Sequence, residues 1–271
     1  MIQNAEDNQF TRTREAPSIL FEVHPNKIIV ECNEDGFTEA NVLSICRTGR
    51  SSKKSQRGYI GEKGIGFKSV FQIASNIHIQ SNSFSFSFQY NGGSSTRDKL
   101  GLITPIPEDG PIPLSDRPLT RMTLTPIQSI TYDELLAQFK DIPDNLLLFL
   151  STLKELKIKI HHSDHKTTVT TSHKSEGLTA GTTNLIKTVE TLQDPEEKII
   201  QETRYYIVKQ QLSDLPADMA RPDIDECEVV LAFPINEDSE PLISMQEVFA
   251  FLPIRSYGFS VSSPRSFGDI W

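Results

Sequence analysis

Apolar and polar positions alternate most regularly over residues 84–90, where Phe84, Phe86, Phe88 and Tyr90 are separated by Ser85, Ser87 and Gln89. A period of two is the mark of a strand with one face buried. Two further runs, 18–23 and 27–32, are rich in β-branched and aromatic residues and predict strands joined by a turn at His24-Pro25-Asn26. Residues 77–80, 120–124, 156–160, 204–211 and 227–235 read as strands as well, and 245–254 is apolar. Helical spacing is scarcer. A helix is expected within the polar residues 1–14. Thr38 is the expected N-cap of another that runs to about Cys46. A third is expected over 132–139. Asp144 is expected to cap a fourth, with Leu146, Leu147, Phe149, Leu150 and Leu153 on its apolar face.

Three stretches break this pattern. Residues 91–118 are rich in Gly, Pro, Asp and Ser and predict a long connection. Residues 161–203 are polar, charged and rich in threonine, and are expected to be a polar connection between a first domain, 1–160, and an incomplete second β-containing domain, 204–271. His161, His162 and His165 fall in that connection. Their spacing does not match a zinc-binding helix, so a solvated turn is the expectation. The third break is the basic, small-residue loop 47–57, which leads straight into a glycine-rich turn.

That turn holds Gly61, Gly64 and Gly66, followed by Phe67, Val70, Phe71, Ile73 and Ala74 at helical spacing. Glycines before a helix let backbone N–H groups approach an anion, and the helix start adds free donors and a positive dipole end. The turn is neither of the two common phosphate motifs. Gly61 and Gly66 have the Walker spacing, but Phe67 intervenes before Lys68-Ser69. The dinucleotide pattern requires a third glycine where Ser69 stands. A basic loop leading into such a turn favours a lid whose cations reach a polyphosphate.

Charge and composition narrow the field. The 271-residue chain carries a net charge of −9, which argues against a broad nucleic-acid or acidic-membrane surface. Its 37% hydrophobic content is enough for a sizeable core. Cys32, Cys46 and Cys227 are scattered, with no CxxC pair, so a reducing intracellular compartment, cytoplasmic or nuclear, and no structural zinc are expected. No secretory leader is expected, since residues 1–4 run straight into charge, and no bilayer-spanning segment is expected, since the longest apolar run is too short.

Several boxes now stand in a fixed order. Residues 4–8, Asn-Ala-Glu-Asp-Asn, resemble the first box of the GHKL ATPases, the group of gyrase, heat-shock-90-type chaperones, histidine kinases and MutL. Residues 61–71 are similar to their second glycine box, and 119–124 to their late threonine-containing strand. The likeness is greatest to the sacsin and NO VEIN-like branch, through 3–8, 33–38, 58–71 and 248–259.

The resemblance implies an α+β fold, a Bergerat two-layer α/β sandwich in which helices cover a mixed, mainly antiparallel sheet, followed by a smaller β-containing unit. It implies ATP and Mg²⁺ as cofactors, a nucleotide partner, a protein client or partner and a chaperone-like role. Asn4 matches the Mg²⁺-ligating asparagine, with Asp7 beside it in the same box. Gly61, Gly64, Ile65, Gly66 and Phe67 would surround phosphate. Lys68 would add a cation, and Lys53 or Lys54 would do so from the lid. Thr120 would sit near adenine.

Two departures accompany the likeness. The general-base glutamate of these ATPases lies four residues before the magnesium asparagine, and counting back from Asn4 passes Met1. Weak or absent hydrolysis, in a truncated member of the branch, is therefore expected, the alternatives being a competent chaperone-like ATPase with its base supplied elsewhere and a non-catalytic interaction protein. Glu6, Asp7 and Glu34 are the carboxylates to consider should turnover be found. The adenine-reading aspartate falls at Cys32 when Gly36 is aligned, and a thiol is a poor acceptor. Asn33, Glu34 and Asp35 remain open as its replacement.

Overall fold

A computed structural model describes residues 1–46, 67–90, 104–109, 119–162, 167–178, 181–213, 226–242, 245–250 and 252–260. Among them lie thirteen strands: β1 (Ser18–His24), β2 (Lys27–Cys32), β3 (Ala74–Ser81), β4 (Phe84–Gln89), β5 (Ile106–Pro107), β6 (Thr120–Pro126), β7 (Glu155–His161), β8 (Thr168–Gly177), β9 (Thr182–Thr191), β10 (Asp194–Leu212), β11 (Cys227–Ile235), β12 (Met245–Ala250) and β13 (Leu252–Ser260). The helices are α1 (Ile2–Glu6), α2 (Glu39–Cys46) and α3 (Tyr132–Lys140), with 3₁₀ turns at Phe67–Gln72 and Leu146–Phe149.

Eleven strands form one sheet in the order β11-β10-β9-β8-β7-β1-β2-β6-β3-β4-β5, and β12 pairs with β13 separately. Every neighbouring pair in the large sheet is antiparallel except β1 and β7, which run parallel. Register aligns the core-facing side chains into lateral rows. One row runs Ile158, Phe21, Val30, Met122, Ile79, Phe86; the next runs Ile160, Val23, Ile28, Leu124, Ile77, Phe88. Side chains from short helical segments close over this face: Ala5 of α1, Leu135 of α3, and Val70, Phe71, Leu146 and Leu147 of the 3₁₀ turns. Residues at alternate positions stay on the opposite face, which carries Glu22, Glu31, Arg121 and Lys159.

The helix-covered sandwich expected from the sequence is not what forms. Among the described residues one large mixed sheet dominates and the helices are three and short. The segment 161–203, read as a polar connection, carries β8, β9 and the start of β10 in the same sheet. Threonine favours the pleated backbone. Strands open to solvent on both sides need no apolar alternation, so they look like loop in sequence. Ile199 and Ile200 of β10 are 65% and 54% exposed, which shows how little covers this extension.

The expected helix after Asp144 is a 3₁₀ turn of four residues, and Asp144 does not cap it. Both Asp144 carboxylate oxygens accept from Lys187 Nζ at 2.8 Å, tying the turn to β9. The expected helix after the glycine turn is likewise a 3₁₀ turn, Phe67–Gln72. Its ring neighbours explain it. Phe67 and Phe71 lie 5.9 and 6.5 Å from Phe88, and Phe71 lies 5.9 Å from Tyr90, so aromatic packing on β4 sets the path of the chain.

Candidate functional site

The apolar face changes character at one end. The row after Met122 and Ile79 reads Ile19, Cys32, Thr120, Ser81 across β1, β2, β6 and β3. Thr120 is 3% exposed and Ser81 fully buried, so two hydroxyls stand where the pattern calls for apolar side chains. Buried hydroxyls must find partners, and these form a directed chain. The Phe37 amide donates to Ser81 Oγ at 2.7 Å. Ser81 Oγ and Thr120 Oγ1 are 2.5 Å apart. Thr120 Oγ1 donates its single proton to Glu34 Oε1, so Ser81 must donate to Thr120. Glu34 is itself 5% exposed. Hydrogen bonds in such a series polarise one another, and the series ends on a carboxylate.

The three residues left open for reading adenine are now distinct. Asn33 is committed to the chain around it: its Oδ1 accepts from the Ser18 amide at 2.7 Å and its Nδ2 donates to Ala16 O at 2.8 Å. Asp35 is committed too. Its Oδ2 accepts from Thr11 Oγ1 at 2.7 Å and its Oδ1 from the Arg12 amide at 2.8 Å. Burial pushes the Asp35 pKa up, but the hydrogen bonds from Thr11 and Arg12 and the Arg12 charge outweigh it, so the carboxyl stays below its usual value. Glu34 is the member of the three that meets Thr120. Burial, and next the charge of Glu34, raise the pKa of the Cys32 thiol, which stays protonated and unreactive.

Gly36 holds the loop in place. Its φ is +86°, in the region that favours glycine. A Cβ there would lie 2.4 Å from Asn82 Nδ2. Asn82 packs that closely because its Nδ2 donates to Phe37 O at 3.0 Å while its Oδ1 accepts from Arg12 Nη1 at 3.2 Å. Gly36→Ala is therefore expected to destabilise the fold by about 1–3 kcal/mol, read as a lower urea midpoint. Gly177→Ala is the control, since nothing lies within 4 Å of a Cβ there. Equal effects of the two substitutions would disprove the close approach.

The first box lies on α1. Asn4 is half-buried, and Asp7 is 9% exposed at the end of the helix. The chain leaving α1 reaches the Glu34 loop, where Gln9 O accepts from the Asp35 amide at 2.9 Å. Glu6 has a structural role that its sequence neighbours do not reveal. Its Oε1 accepts from the Ser151 amide and hydroxyl, both at 2.7 Å, and from the Thr152 amide at 2.8 Å; its Oε2 accepts from the Leu153 amide at 2.9 Å. A carboxylate holding four donors is not placed to take a proton from water.

Phe67 packs its ring into the aromatic cluster around Phe88. Lys53, Lys54, Gly61, Gly64, Ile65, Gly66 and the side chain of Lys68 lie outside the described residues. The structure thus brings Thr120, Glu34 and Ser81 together and sets Gly36 beside them. Asn33 is held instead by the backbone of Ala16 and Ser18, and Asp35 by the Thr11 hydroxyl and the Arg12 amide. Glu34 was one of three sequence candidates, and only its contact with Thr120, 86 residues away, singles it out.

No helix among the described residues is long and apolar enough to cross a membrane. No protein-family model matches the chain. The chain is similar to the Protein NO VEIN of Arabidopsis thaliana, with 30% identity over 281 aligned residues that cover 95% of this chain. It spans about 9% of the length of that relative. The similarity to Protein NO VEIN runs over almost the whole of this chain.

Proposed function

We propose that this chain is an ATP-binding module, with Mg²⁺ and phosphates held by Asn4 and the glycine turn in the manner of the GHKL ATPases its boxes resemble. The reading concerns the ligand and its contacts, not a helix-covered architecture. One observation carries it: a buried hydrogen-bond series of Ser81 and Thr120 ends on the Glu34 carboxylate at the one polar end of an apolar sheet face. Burying a carboxylate costs free energy unless hydrogen bonds hold it. Here it is held beside Thr120, which the resemblance places near adenine.

In this reading Glu34 accepts from the adenine amino group, and Thr120, fixed by Ser81, orients the carboxylate. Asn4 supplies an amide oxygen to Mg²⁺, a hard cation that takes oxygen ligands and keeps several waters. Gly61, Gly64 and Gly66 offer backbone donors to the phosphates, and Lys68 and Lys53 offer charge.

Calorimetric titration of ATP tests this, in Mg²⁺ and again in EDTA. Saturable 1:1 binding in Mg²⁺ is expected, with thermal stabilisation of about 2.7 kcal/mol at a hundredfold excess over Kd. Asn4→Ala should weaken binding about tenfold in Mg²⁺ and leave the weaker EDTA value unchanged. Absence of both heat and stabilisation at millimolar ATP would refute the proposal, and equal losses in the two buffers would refute the role of Asn4.

A further inference from the structure

The face of the sheet opposite Glu34 and Thr120 carries a second constellation. β1 and β7 are the parallel pair, and their register sets Val23 against Ile160 and thus His24 beside His161 at the two strand ends. Glu22 precedes His24 by two residues and shares its face. The two imidazoles stack with centroids 4.0 Å apart and planes 8° from parallel. Glu22 Oε1 lies 2.6 Å from His161 Nε2 and 3.6 Å from His24 Nε2. All three ligand atoms fall within 4.8 Å of one another. The three side chains are 22–24% exposed, so the cluster opens to solvent.

We infer that Glu22, His24 and His161 form a binding site for a divalent transition-metal ion of the Zn²⁺ class. Zinc–nitrogen and zinc–oxygen bonds of about 2.0–2.1 Å at tetrahedral angles place ligand atoms about 3.3 Å apart. The two separations to Glu22 Oε1 bracket that value, and because the stacked rings hold their lone pairs in parallel planes, one imidazole turns out of the stack about its side-chain torsions as the ion binds. Two imidazoles and a carboxylate suit zinc, copper or nickel and disfavour the hard cations Mg²⁺ and Ca²⁺. Three protein ligands leave the fourth position to water.

The protons balance. A carboxylate only accepts, so in the metal-free site His161 Nε2–H donates to Glu22, and Nδ1 lies 3.3 Å from Thr168 Oγ1. Metal at Nε2 requires the proton on Nδ1, where Thr168 Oγ1 accepts it. A second-shell acceptor of this kind fixes the ring of a metal-bound histidine. Two ammonium groups oppose the cation: Lys159 Nζ lies 3.0 Å from Glu22 Oε1, and the charge of Lys27, paired with His24 across the turn, acts on the His24 ring. The metal therefore competes with an ammonium for the same carboxylate, which keeps affinity moderate and supplies a variant of opposite sign.

The test is titration of the nucleotide-free chain at pH 7.5 with Zn²⁺ by calorimetry and with Co²⁺ by visible spectroscopy, Mg²⁺ serving as control. One equivalent of Zn²⁺ should bind, Co²⁺ should give a tetrahedral spectrum, and Mg²⁺ should give neither effect. His24→Ala and His161→Ala should each weaken Zn²⁺ binding at least tenfold while circular dichroism and melting stay near those of the parent. Lys159→Met should tighten it several-fold. The inference is overturned by absence of a saturable equivalent, by folded histidine variants that bind like the parent, or by weaker binding in Lys159→Met. Should either alanine variant fail to fold, His24→Gln and His161→Gln preserve bulk and carry the same expectation.

Discussion

Glu6→Ala should lower the stability of the fold by about 2–4 kcal/mol, a large part of the 5–15 kcal/mol that holds a typical domain together. The Glu6 carboxylate is 5% exposed and accepts from three backbone amides and one hydroxyl of residues 151–153. Alanine removes the acceptor and leaves the buried Leu153 amide without it, at a cost of about 1–3 kcal/mol if unsatisfied, while the amides of exposed Ser151 and half-buried Thr152 lose a charged acceptor that water replaces only in part. Water entering the space left by the side chain would recover part of this, so the total falls short of the sum. A second loss follows from α1, a five-residue helix too short to persist alone. With Ala5, Glu6 anchors it to the core, and its release also displaces Asn4. Glu6→Gln keeps the shape and one good acceptor and should lose about half as much. Urea unfolding checks both. A loss below about 1 kcal/mol for Glu6→Ala would show that Glu6 is not the anchor.

Residue 6 also shows where sequence stops being informative. In the chain it stands beside Asp7 as one of two acidic residues on a short helix, and a role as spare base looks as open as any. Its partners are 145–147 positions away, and no local pattern marks them. The strands were legible for the opposite reason. β1, β2 and β6 bury one face, and that choice is written as local residue pattern. The strands β8 to β10 bury little and leave no such record, so a threonine-rich extension of the sheet read as a connection. His161 belongs with them. Its neighbours in sequence, His162 and His165, suggested a solvated turn, whereas its neighbours in space, Glu22 and His24, arrive through a parallel pairing across more than 130 residues. The helix-covered architecture failed on the same ground. The boxes give residue order at a ligand, while the layers over a sheet depend on what the rest of the chain contributes. Within the candidate site, Thr120 and Gly36 stood out in sequence, and Glu34 could be chosen over Asn33 and Asp35 only from side-chain partners.

Glu34→Gln should weaken ATP binding by about 10- to 100-fold and remove most of the preference for ATP over GTP. A hydrogen bond to a charged acceptor is worth about 1.5–3 kcal/mol, and in the proposed site the acceptor meets the exocyclic amine of adenine. Guanine presents a carbonyl oxygen at that position, so the carboxylate repels it. A glutamine of the same size carries no charge and can turn an N–H toward the guanine oxygen, which lifts the penalty on GTP while it loses strength toward ATP. Discrimination built on a buried polar group is large because the wrong ligand leaves that group unpaired. Thr120→Val separates orientation from charge. It cuts the link from Ser81 to Glu34 and leaves the carboxylate in place, so affinity should fall less than in Glu34→Gln and the preference for ATP should survive in part. Because the two side chains touch, their effects should not add, and the double variant should cost less than the sum. The measurement is calorimetry with ATP and GTP on the parent, both single variants and the double, with melting curves to show that each folds. Unchanged ATP affinity in a folded Glu34→Gln would remove adenine from this end of the sheet. A retained ATP preference in that variant would move the reading of the base to another residue.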